Sequence, residues 1–462
     1  MRYNTAKTKP NVIFILTDQQ RYDTVGCYGQ DLNITPNLDG IAKEGVCFEY
    51  TFTNQPVCGP ARAILQSGKY PTELGCFRNA IGLPISDQNI ANYFSKNGYD
   101  VAYIGKWHLA STLGKSDDIS LEKQDFRRRS IPPEYRGGYK DYWLASDALE
   151  HTSHAYNGHF FDGDGNKREF NGYRVDCQTD FILDYLESRN VQKPLFLFIS
   201  FLEPHHQNDH NAIEGPTGSK EKFKDFRIPG DLQDTEGDWE EFFADYLGCC
   251  HSIDMNLGRI IATLKRLGIY ENSTIFFTSD HGCHFRTRNR EYKRSCHESS
   301  IRIPLVIKGL DFNGGRVISE LVSLIDLPPT LLKVAGIEIP NFMRGNALQK
   351  LLDNDSDNKK DWPQEIFIQI SENQVGRAIR TKKWKYSVVA PKRNEPWDGY
   401  LYSKSDIYNE EFLYDLENDV YEKNNLVEDP NFEDVRKGLA DILKRKMKEA
   451  GEDVPKIYSI SK

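Results

Sequence analysis

Four short apolar segments, each followed at once by polar residues, constrain the fold of this chain most strongly. They read NVIFIL then TDQQR, DVAYIG then KWHLA, PLFLFIS then FLEPHHQND, and STIFF then TSDHG. Uninterrupted apolar runs of this length are typical of strands buried on both faces, as in a parallel sheet covered by helices. Segments with helical periodicity, such as TPNLDGIAKEG and QNIANYFSKNG, lie between them. This alternation predicts an α/β fold.

The four polar clusters follow the strands at the place where a parallel sheet binds its ligands. In open α/β sheets the ligand lies beyond the carboxyl ends of the strands. For any single cluster the simpler interpretation is that polar residues end a strand. Because all four clusters are rich in Asp, His, Lys and Gln, we expect them to converge on one site.

Two regions depart from the alternation of strands and helices. The segment from about 115 to 175 is rich in Gly, Tyr, Asp and Arg, and its weak periodicity predicts a long irregular insertion. From about residue 365, strand-like segments such as EIFIQI precede the helical segment FEDVRKGLADILKRKMKEAG. We therefore predict a large domain over residues 1–365, with a mixed, mostly parallel sheet between helices. Residues 366–462 would form a smaller domain with an antiparallel sheet and a terminal helix.

Composition excludes several classes of protein. A chain of 462 residues can bury a core without disulfides or a structural metal. The net charge of −9 argues against a nucleic-acid partner, and a mean hydropathy of −0.62 leaves no room for membrane spans. Nine scattered cysteines without a CxxC pair suit a reducing compartment. With no apolar leader at the amino terminus, we expect a soluble cytoplasmic protein, or a periplasmic or secreted one if a leader has been removed.

The segment QPVCGPARAILQSG places Cys58 at the start of a predicted helix. Pro60 suits the first helical turn, so Cys58 would lie near the free N–H groups and the positive end of the helix dipole. That environment favours an anion and acidifies a thiol. The residues alone leave three alternatives: a cysteine nucleophile, an anion site and a buried packing cysteine.

The segment CGPAR resembles the C-x-P-S/A-R signature of the sulfatase family, in which the cysteine is oxidised to formylglycine after translation. Further segments resemble the family in the expected order: PNVIFILTDQQ its opening strand, GKWHLA its Lys-x-His segment, PHHQ its substrate histidine, and TSDHG its second metal segment. The segment EEFLYDLENDVYEKNNL is similar to its carboxyl-terminal domain. The resemblance implies an alkaline phosphatase-like fold and hydrolysis of sulfate esters.

The resemblance also implies a mechanism and a maturation partner. Formylglycine hydrates to a gem-diol, and one hydroxyl attacks the sulfur of the ester. The second hydroxyl then loses its proton and expels sulfate, which regenerates the aldehyde. Conversion of Cys58 would require a formylglycine-generating enzyme or a radical sulfatase-maturing enzyme.

One divalent cation is implied as a cofactor, held by Asp18, Gln19, Asp280, His281 and an oxygen of residue 58. The family commonly has Asp-Asp at the first pair and Asp-Asn at the second, so Gln19 and His281 depart from its pattern. An imidazole ligand is less typical of calcium than of manganese or other transition ions. Calcium is the family default, and the identity of the metal stays open.

The remaining catalytic roles are carried over from the family motifs. Arg62, one helical turn after the cysteine, would hold the diol and the metal carboxylates in place. Lys106 would bind sulfate, and His108 would take the proton that drives its release. His205 and Lys293 would contact the sulfate and protonate the leaving oxygen.

Substrate specificity is predicted to come from residues in the insertions and from the neighbour of His205. Arginines in these segments suit carboxylates or additional sulfates of an acidic sugar. The predicted substrate-binding residues are His154, Arg174, His206, Arg286 and Arg288.

These observations favour a sulfuric ester hydrolase that acts on a small sulfated sugar or oligosaccharide. Phosphonate monoester or phosphodiester hydrolases and choline sulfatases are alternatives, because sulfuryl and phosphoryl transfer need the same cation, lysines and histidines. A non-catalytic glycan-binding protein and a plain cysteine hydrolase are further alternatives. The last of these would keep an unmodified thiol at residue 58.

Overall fold

Two β-sheets organise the chain in the computed structural model, which describes residues 9–117, 119–120, 122–353, 361–393 and 398–459. The first sheet has 12 strands and the second has five. The strands of the first sheet are β1 (Asn11–Thr17), β2 (Val46–Phe52), β3 (Asp100–Lys106), β4 (Tyr142–Ser146), β5 (Ser153–His154), β6 (Asn157–Asp162), β7 (Lys167–Asn171), β8 (Leu195–Ser200), β9 (Ser273–Ser279), β10 (Arg302–Ile303), β11 (Leu305–Lys308) and β12 (Arg316–Ser323).

The centre of the first sheet is parallel. Strands β9, β1, β8, β3 and β4 lie side by side in that order, and each neighbouring pair is parallel. Antiparallel pairs occur toward both edges, for example between β11 and β9 and between β4 and β6. Every residue of β1, β8 and β9 is buried, as the uninterrupted apolar segments predict. The predicted mixed, mostly parallel sheet is confirmed.

Helices cover both faces of this sheet. Alternate residues of β1 separate onto the two faces, with Phe14 in one apolar core and Ile13 and Ile15 in the other. None of the described helices combines the length and apolar character that a bilayer span requires. Within the described ranges, the helices before residue 365 are α1 (Pro36–Glu44), α2 (Cys58–Ser67), α3 (Pro71–Leu74), α4 (Ile90–Lys96), α5 (Arg174–Ser188), α6 (Ser219–Phe223), α7 (Trp239–Arg266), α8 (Glu298–Ile301), α9 (Leu327–Val334) and α10 (Gln349–Leu352).

The predicted irregular insertion is largely a regular part of the sheet. Strand β4 is the fifth parallel strand of the centre, and β5, β6 and β7 extend that edge in antiparallel fashion. The prediction was wrong for residues 142–171. The apolar run WLA in β4 is short, and the exposed side chains of β7 hide the strand pattern because this edge faces solvent.

The second sheet follows from residue 365. Strands β13 (Glu365–Ile370), β14 (Gly376–Thr381), β15 (Trp384–Val389) and β16 (Ile407–Asp415) are antiparallel, and β17 (Lys456–Tyr458) joins β16 in parallel. The helices of this part are α11 (Asp398–Leu401) and α12 (Glu433–Glu449). Apolar residues of α12 pack on β14 and β15, so the smaller domain has its own core.

A buried ionic group joins the second sheet to helix α8. The fully buried Lys385 of β15 places Nζ 2.7 Å from Glu298 of α8 and 2.5 Å from Glu422. Arg380 of β14 lies 3.3 Å from the same Glu298 carboxylate. Helix α8 follows the segment that carries Lys293, so the smaller sheet supports a part of the predicted site.

Candidate active site

The polar clusters at the strand ends meet at one edge of the first sheet. Asp18 follows β1, Asp280 follows the neighbouring β9, and Lys106 is the last residue of β3. The backbone N–H of Gln19 donates a 3.0 Å hydrogen bond to Oδ1 of Asp280 and ties the first two strand ends together. Parallel strands bring their carboxyl ends to one edge, so residues distant in sequence become neighbours.

Helix α2 brings Cys58 into this cluster. Cys58 is the first helical residue after the N-cap Val57, and all residues of the helix are buried. Its Sγ lies 2.9 Å from Nζ of Lys293, 3.2 Å from Nε2 of His281 and 3.5 Å from Oδ1 of Asp18. The cysteine therefore lies between an ammonium group and the two strand ends.

The environment acidifies the Cys58 thiol. Burial opposes ionisation, but the positive charges of Lys293 and Lys106 outweigh it, so the pKa of Cys58 lies well below its ordinary value. A hydrogen bond from His108 acts in the same direction. The site therefore stabilises negative charge at position 58.

Four residues form a group that fits one divalent cation. The ligand atoms of Asp18, Cys58, Asp280 and His281 all lie within 4.8 Å of one another. Nδ1 of His281 lies 2.9 Å from the carbonyl of Gly282, which directs Nε2 toward the group as an acceptor. Oδ2 of Asp280 is buried, accepts no hydrogen bond and lies 3.2 Å from a terminal nitrogen of Arg62, so this oxygen is balanced by a single ion pair. The predicted ligand set is brought together by the fold.

Gln19 lies beside these four residues. Its side-chain Oε1 accepts a 3.2 Å hydrogen bond from Nζ of Lys293, and its backbone is in the left-handed region with φ 71°. With this left-handed backbone, the side chain of Gln19 contacts Lys293 and Cys283, while the neighbouring Asp18 contacts Arg62 and Lys106.

Arg62 links the two carboxylates, as its spacing from Cys58 predicts. One terminal nitrogen lies 3.0 Å from Asp18 and 3.2 Å from Asp280, and the other donates to the carbonyl of Lys106 at 2.9 Å and to Oγ of Ser200 at 2.7 Å. Burial raises the pKa of Asp18, but the charges of Lys106 and Arg62 contribute to a net value well below the usual range. Asp18 is therefore held as a carboxylate.

Lys106 lies beside Asp18 at the strand ends, but it is buried and does not line the cavity over Cys58. Its Nζ lies 2.8 Å from Oδ2 of Asp18 and 3.4 Å from Oε2 of Glu150, and its side chain is fully buried. In this arrangement Lys106 neutralises carboxylates. Glu150 lies in a short turn between β4 and β5, and the sequence analysis did not identify it because its segment carries no motif.

A cavity of about 450 Å³ opens over Cys58. Of the predicted catalytic and substrate-binding residues, Cys58, His108, His205, His206, Arg286 and Lys293 line it. Residues that the sequence analysis did not assign also line it, including Asn79, Arg127, Asp147, Glu150, Asn211, Glu291 and Arg294. The lining is polar and carries both signs of charge, which suits a hydroxyl-rich anionic ligand.

The histidines of the cavity are positioned by aromatic packing. Trp107 packs against Trp143 with ring centroids 5.6 Å apart, while His108 has φ 60° and turns toward Cys58. His206 stacks between His205 and Tyr292, with both centroid separations 4.3 Å. Burial, and then the charge of Lys293, lowers the pKa of His205. His205 is therefore neutral at neutral pH in the absence of ligands.

Two predicted substrate-binding arginines lie away from the cavity. Arg174 is 3% exposed, and its Nε lies 2.9 Å from Oε1 of Glu203. This ion pair supports the loop that leads to His205. Arg288 donates through both terminal nitrogens to the carbonyls of Glu422 and Tyr421, at 2.9 and 2.8 Å. The guanidinium of Arg174 is thus engaged by side chains and that of Arg288 by backbone carbonyls.

His154 borders a different, smaller cavity of about 340 Å³ beside the first. Its Nε2 lies 2.8 Å from Oδ2 of Asp209. The predicted contact of His154 with a substrate at Cys58 therefore does not follow from its position.

The smaller domain reaches the cavity through Glu372. Its carboxylate accepts a 2.6 Å hydrogen bond from the backbone N–H of Asn79 and lies 2.5 Å from a terminal nitrogen of Arg294. Asn79 in turn accepts a 2.8 Å hydrogen bond from the N–H of Gly59, next to Cys58. Such contacts between distant segments have no local sequence signal.

Two family models match the chain. One, described as Sulfatase, matches residues 10–337, and a second, described as N-sulphoglucosamine sulphohydrolase, C-terminal, matches residues 290–449. Together they extend over the first sheet and over strands β13 to β16 of the second.

Known proteins resemble the chain over nearly its whole length. An ulvan-active sulfatase of Formosa agariphila is 31% identical, over 96% of this chain and 82% of the relative. An N-acetylglucosamine-6-O-sulfatase of Bacteroides thetaiotaomicron is 25% identical, over 97% of this chain and 88% of the relative.

A solved structure shares the fold. A sulfatase of Bacteroides fragilis named yidJ superposes with a TM-score of 0.79 at 25% identity, over 96% of this chain and 97% of its own. This likeness agrees with the alkaline phosphatase-like architecture that the resemblance implies. With its sulfatase model matching more than half of the residues and a 31% identical relative aligned over most of its length, the chain belongs to the sulfatase family and is a sulfatase.

Proposed function

We propose that this sulfatase removes sulfate from a sulfated sugar or oligosaccharide, using a formylglycine formed from Cys58 and one divalent cation. The observation that carries the proposal is the position of Cys58. Its Sγ lies within 3.5 Å of Lys293, His281 and Asp18, at the floor of a polar cavity of about 450 Å³. A modified residue here would meet a sulfate ester that enters through the cavity.

Conversion of Cys58 explains why a cysteine begins a fully buried helix. The N–H groups and dipole at the start of α2 favour negative charge at residue 58, whether on a thiolate or on an oxygen that replaces it. Pro60 and Arg62 complete the signature by which the family marks its cysteine for oxidation. We propose a formylglycine-generating or radical sulfatase-maturing enzyme as the partner that carries out this step.

The cation would be held by Asp18, Asp280, His281 and residue 58, with Gln19 beside them. When bound, it supplies positive charge that acidifies a hydroxyl on residue 58 and stabilises the sulfate oxygens. The two carboxylates suit calcium, which is the family default, and the imidazole suits manganese. We therefore propose either ion as the cofactor.

The chain's own groups would bind sulfate and move protons. Nζ of Lys293, 2.9 Å from position 58, would contact a sulfate oxygen and protonate the leaving sugar oxygen, and the neutral His205 in the same cavity would donate a hydrogen bond to the sulfate or to that leaving oxygen. His108, which hydrogen-bonds Cys58, is placed to take the proton when sulfate departs. Lys106 would keep Asp18 neutralised, and it contacts sulfate only if it moves from the 2.8 Å ion pair.

A carbohydrate substrate is supported by the cavity and by the relatives. Arg127, Arg286 and Arg294 line the cavity and offer planar donors to carboxylates or further sulfates. The two relatives are named for activity on ulvan and on the 6-O-sulfate of N-acetylglucosamine. Both names describe sulfated sugars, and we extend that substrate class to this chain.

The alternative reactions use the same group of residues. A phosphonate monoester, a phosphodiester or choline sulfate could meet the same cation site, lysines and histidines. A non-catalytic glycan-binding protein is disfavoured because Asp18, Cys58, Arg62 and Asp280 are all present and in contact.

Turnover of a substrate panel tests the proposal. The panel holds sulfated mono- and disaccharides that differ in sulfate position, 4-nitrophenyl sulfate, choline sulfate and a phosphonate monoester, with the Cys58→Ala variant as the blank. We expect the highest kcat/KM on one sulfated sugar and no turnover by the blank. Faster turnover of the phosphonate or of choline sulfate would overturn the proposed substrate class.

A further inference from the structure

Two histidines and an aspartate lie close together outside the active site, on the surface beside the cavity entrance. His154 ends β5, while Asp209 and His210 lie in the loop that follows His205. Their potential ligand atoms all lie within 4.8 Å of one another. The two imidazoles stack with centroids 4.5 Å apart and planes inclined by 10°, so they approach the carboxylate side by side. We call these three residues the rim triad.

Neighbouring side chains orient two members of the rim triad. Nδ1 of His210 lies 2.5 Å from Oε1 of Glu214, which leaves Nε2 free to act as a ligand. Nε2 of Gln207 donates a 2.8 Å hydrogen bond to Oδ1 of Asp209, which turns Oδ2 toward His154. Partners of this kind are typical of metal-ligating histidines and carboxylates, whose orientation and basicity they fix.

We propose that the rim triad binds a divalent transition-metal ion, distinct from the cation of the active site. Two imidazole nitrogens and one carboxylate oxygen are a ligand set that favours zinc, cobalt or nickel over calcium and magnesium. The side chains are about half exposed, at 43%, 57% and 45%, so water fills the remaining coordination positions. The ion takes the place of the proton that His154 now shares with Asp209 over 2.8 Å.

The rim triad shares no residue with the active-site group of Asp18, Cys58, Asp280 and His281. It nevertheless lies close to the catalytic cavity, because Glu150, His151 and Asn208 line both that cavity and the smaller one that His154 borders. An ion on the rim triad would join the β5 segment to the loop that carries His205. It would also place positive charge beside the path of an anionic substrate.

Metal stoichiometry tests this site directly. Tag-free protein, first freed of metal with a chelator, is titrated with Co²⁺ and with Zn²⁺ by calorimetry, and Co²⁺ binding is followed by its visible absorption. The variants are His154→Gln, Asp209→Asn and His210→Gln. The matched control is His251→Gln, which removes a histidine that contacts Lys222 and the carbonyl of Ile34 instead.

We expect each rim-triad variant to bind one equivalent fewer than the wild type, and the control to bind as many as the wild type. Ions that bind at the Cys58 group are common to all these proteins and cancel in the comparison. Melting temperatures of the metal-free variants close to that of the wild type establish that they are folded. Equal stoichiometry in the wild type and the three variants would overturn the proposal.

A second measurement separates a built site from incidental histidine binding. Zn²⁺ should raise the melting temperature of the wild type. If the three residues act together, this rise should be smaller in every rim-triad variant, and by the same amount in all three. The proposed three-ligand site would be contradicted if the two histidine variants lost part of the rise in melting temperature while Asp209→Asn kept the rise of the wild type.

Discussion

Nζ of Lys293 lies 2.9 Å from Sγ of Cys58, the first residue of a helix that is buried along its whole length. The two residues are 235 positions apart in the sequence. Their contact joins the two motifs on which the proposed chemistry depends. It also determines how an unconverted Cys58 should behave.

Before conversion, Cys58 should titrate as an acidic thiol. Burial alone would raise the pKa of Cys58, but the charges of Lys293 and Lys106 lower it by more than burial raises it. The thiolate therefore persists at pH values below the ordinary pKa of a cysteine. In metal-free protein made without the maturation enzyme, alkylation of Cys58 should therefore stay fast as the pH falls below 8. Replacing Lys293 by Met should raise the pKa of Cys58, because it removes the largest of the charges that lower this pKa. An alkylation profile that this substitution leaves unchanged would contradict the role of Lys293.

Removal of Arg62 should cost both stability and activity. Its guanidinium lies 3.0 Å from Asp18 and 3.2 Å from Asp280, and the Arg62→Leu variant would leave two buried carboxylates without this partner. Loss of one partner of a buried ion pair costs about 3–5 kcal/mol. Urea unfolding measures the change in the free energy of unfolding.

An exposed arginine provides the control for Arg62. Arg259 pairs with Asp180 at 2.5 Å, and both side chains are well exposed to solvent. The Arg259→Leu variant should lose about 1 kcal/mol or less. Equal losses for the two variants would show that the buried position of Arg62 has no special effect.

Arg286 and Arg288 form a matched pair for substrate recognition. Arg286 lines the cavity, while Arg288 donates to two backbone carbonyls of the smaller domain. The Arg286→Gln variant should raise KM for an acidic sulfated sugar by roughly tenfold or more, because a hydrogen bond to a charged group contributes about 1.5–3 kcal/mol. The Arg288→Gln variant should leave KM unchanged and should lower the melting temperature instead. The reverse pattern would mean that the cavity over Cys58 is not where the sugar binds.

His281 should set the preference among divalent cations. Its Nε2 faces Asp18 and Asp280 at 3.6 and 3.5 Å, and a nitrogen ligand favours transition ions over calcium. After treatment with a chelator, the His281→Asn variant should lower the ratio of Mn²⁺ affinity to Ca²⁺ affinity by about tenfold or more. Calorimetric titration with each ion gives this ratio. An unchanged ratio would argue that His281 is not a ligand.

Local sequence was sufficient to predict the elements that carry the site. The strand ends at Asp18, Lys106 and Asp280 follow apolar runs that are typical of buried strands, and Cys58 begins a helix whose first turn suits Pro60. The mostly parallel sheet then brings these positions to one edge. Fold class was predicted for that reason, whereas the family was predicted from its motifs, CGPAR above all.

Side-chain direction on the loops was beyond the reach of the sequence. Arg286 and Arg288 lie two residues apart in the same arginine-rich segment, FRTRNR. Nevertheless, Arg286 faces the cavity and Arg288 faces the smaller domain. Glu150 meets Lys106 only because β4 extends the parallel sheet, and β4 itself was predicted as irregular chain. Such contacts depend on packing between distant segments, which leaves no local pattern.

The state of residue 58 in active enzyme tests the central claim most directly. A tryptic digest places Cys58 in the peptide of residues 44–62, which also contains Cys47, so fragment ions must assign any change to residue 58. In protein made together with a maturation enzyme, we predict a mass in which the thiol of residue 58 is replaced by an aldehyde, in proportion to sulfatase activity. Protein made without that enzyme should keep both thiols and be inactive. Full sulfatase activity with an intact thiol at residue 58 would contradict the account.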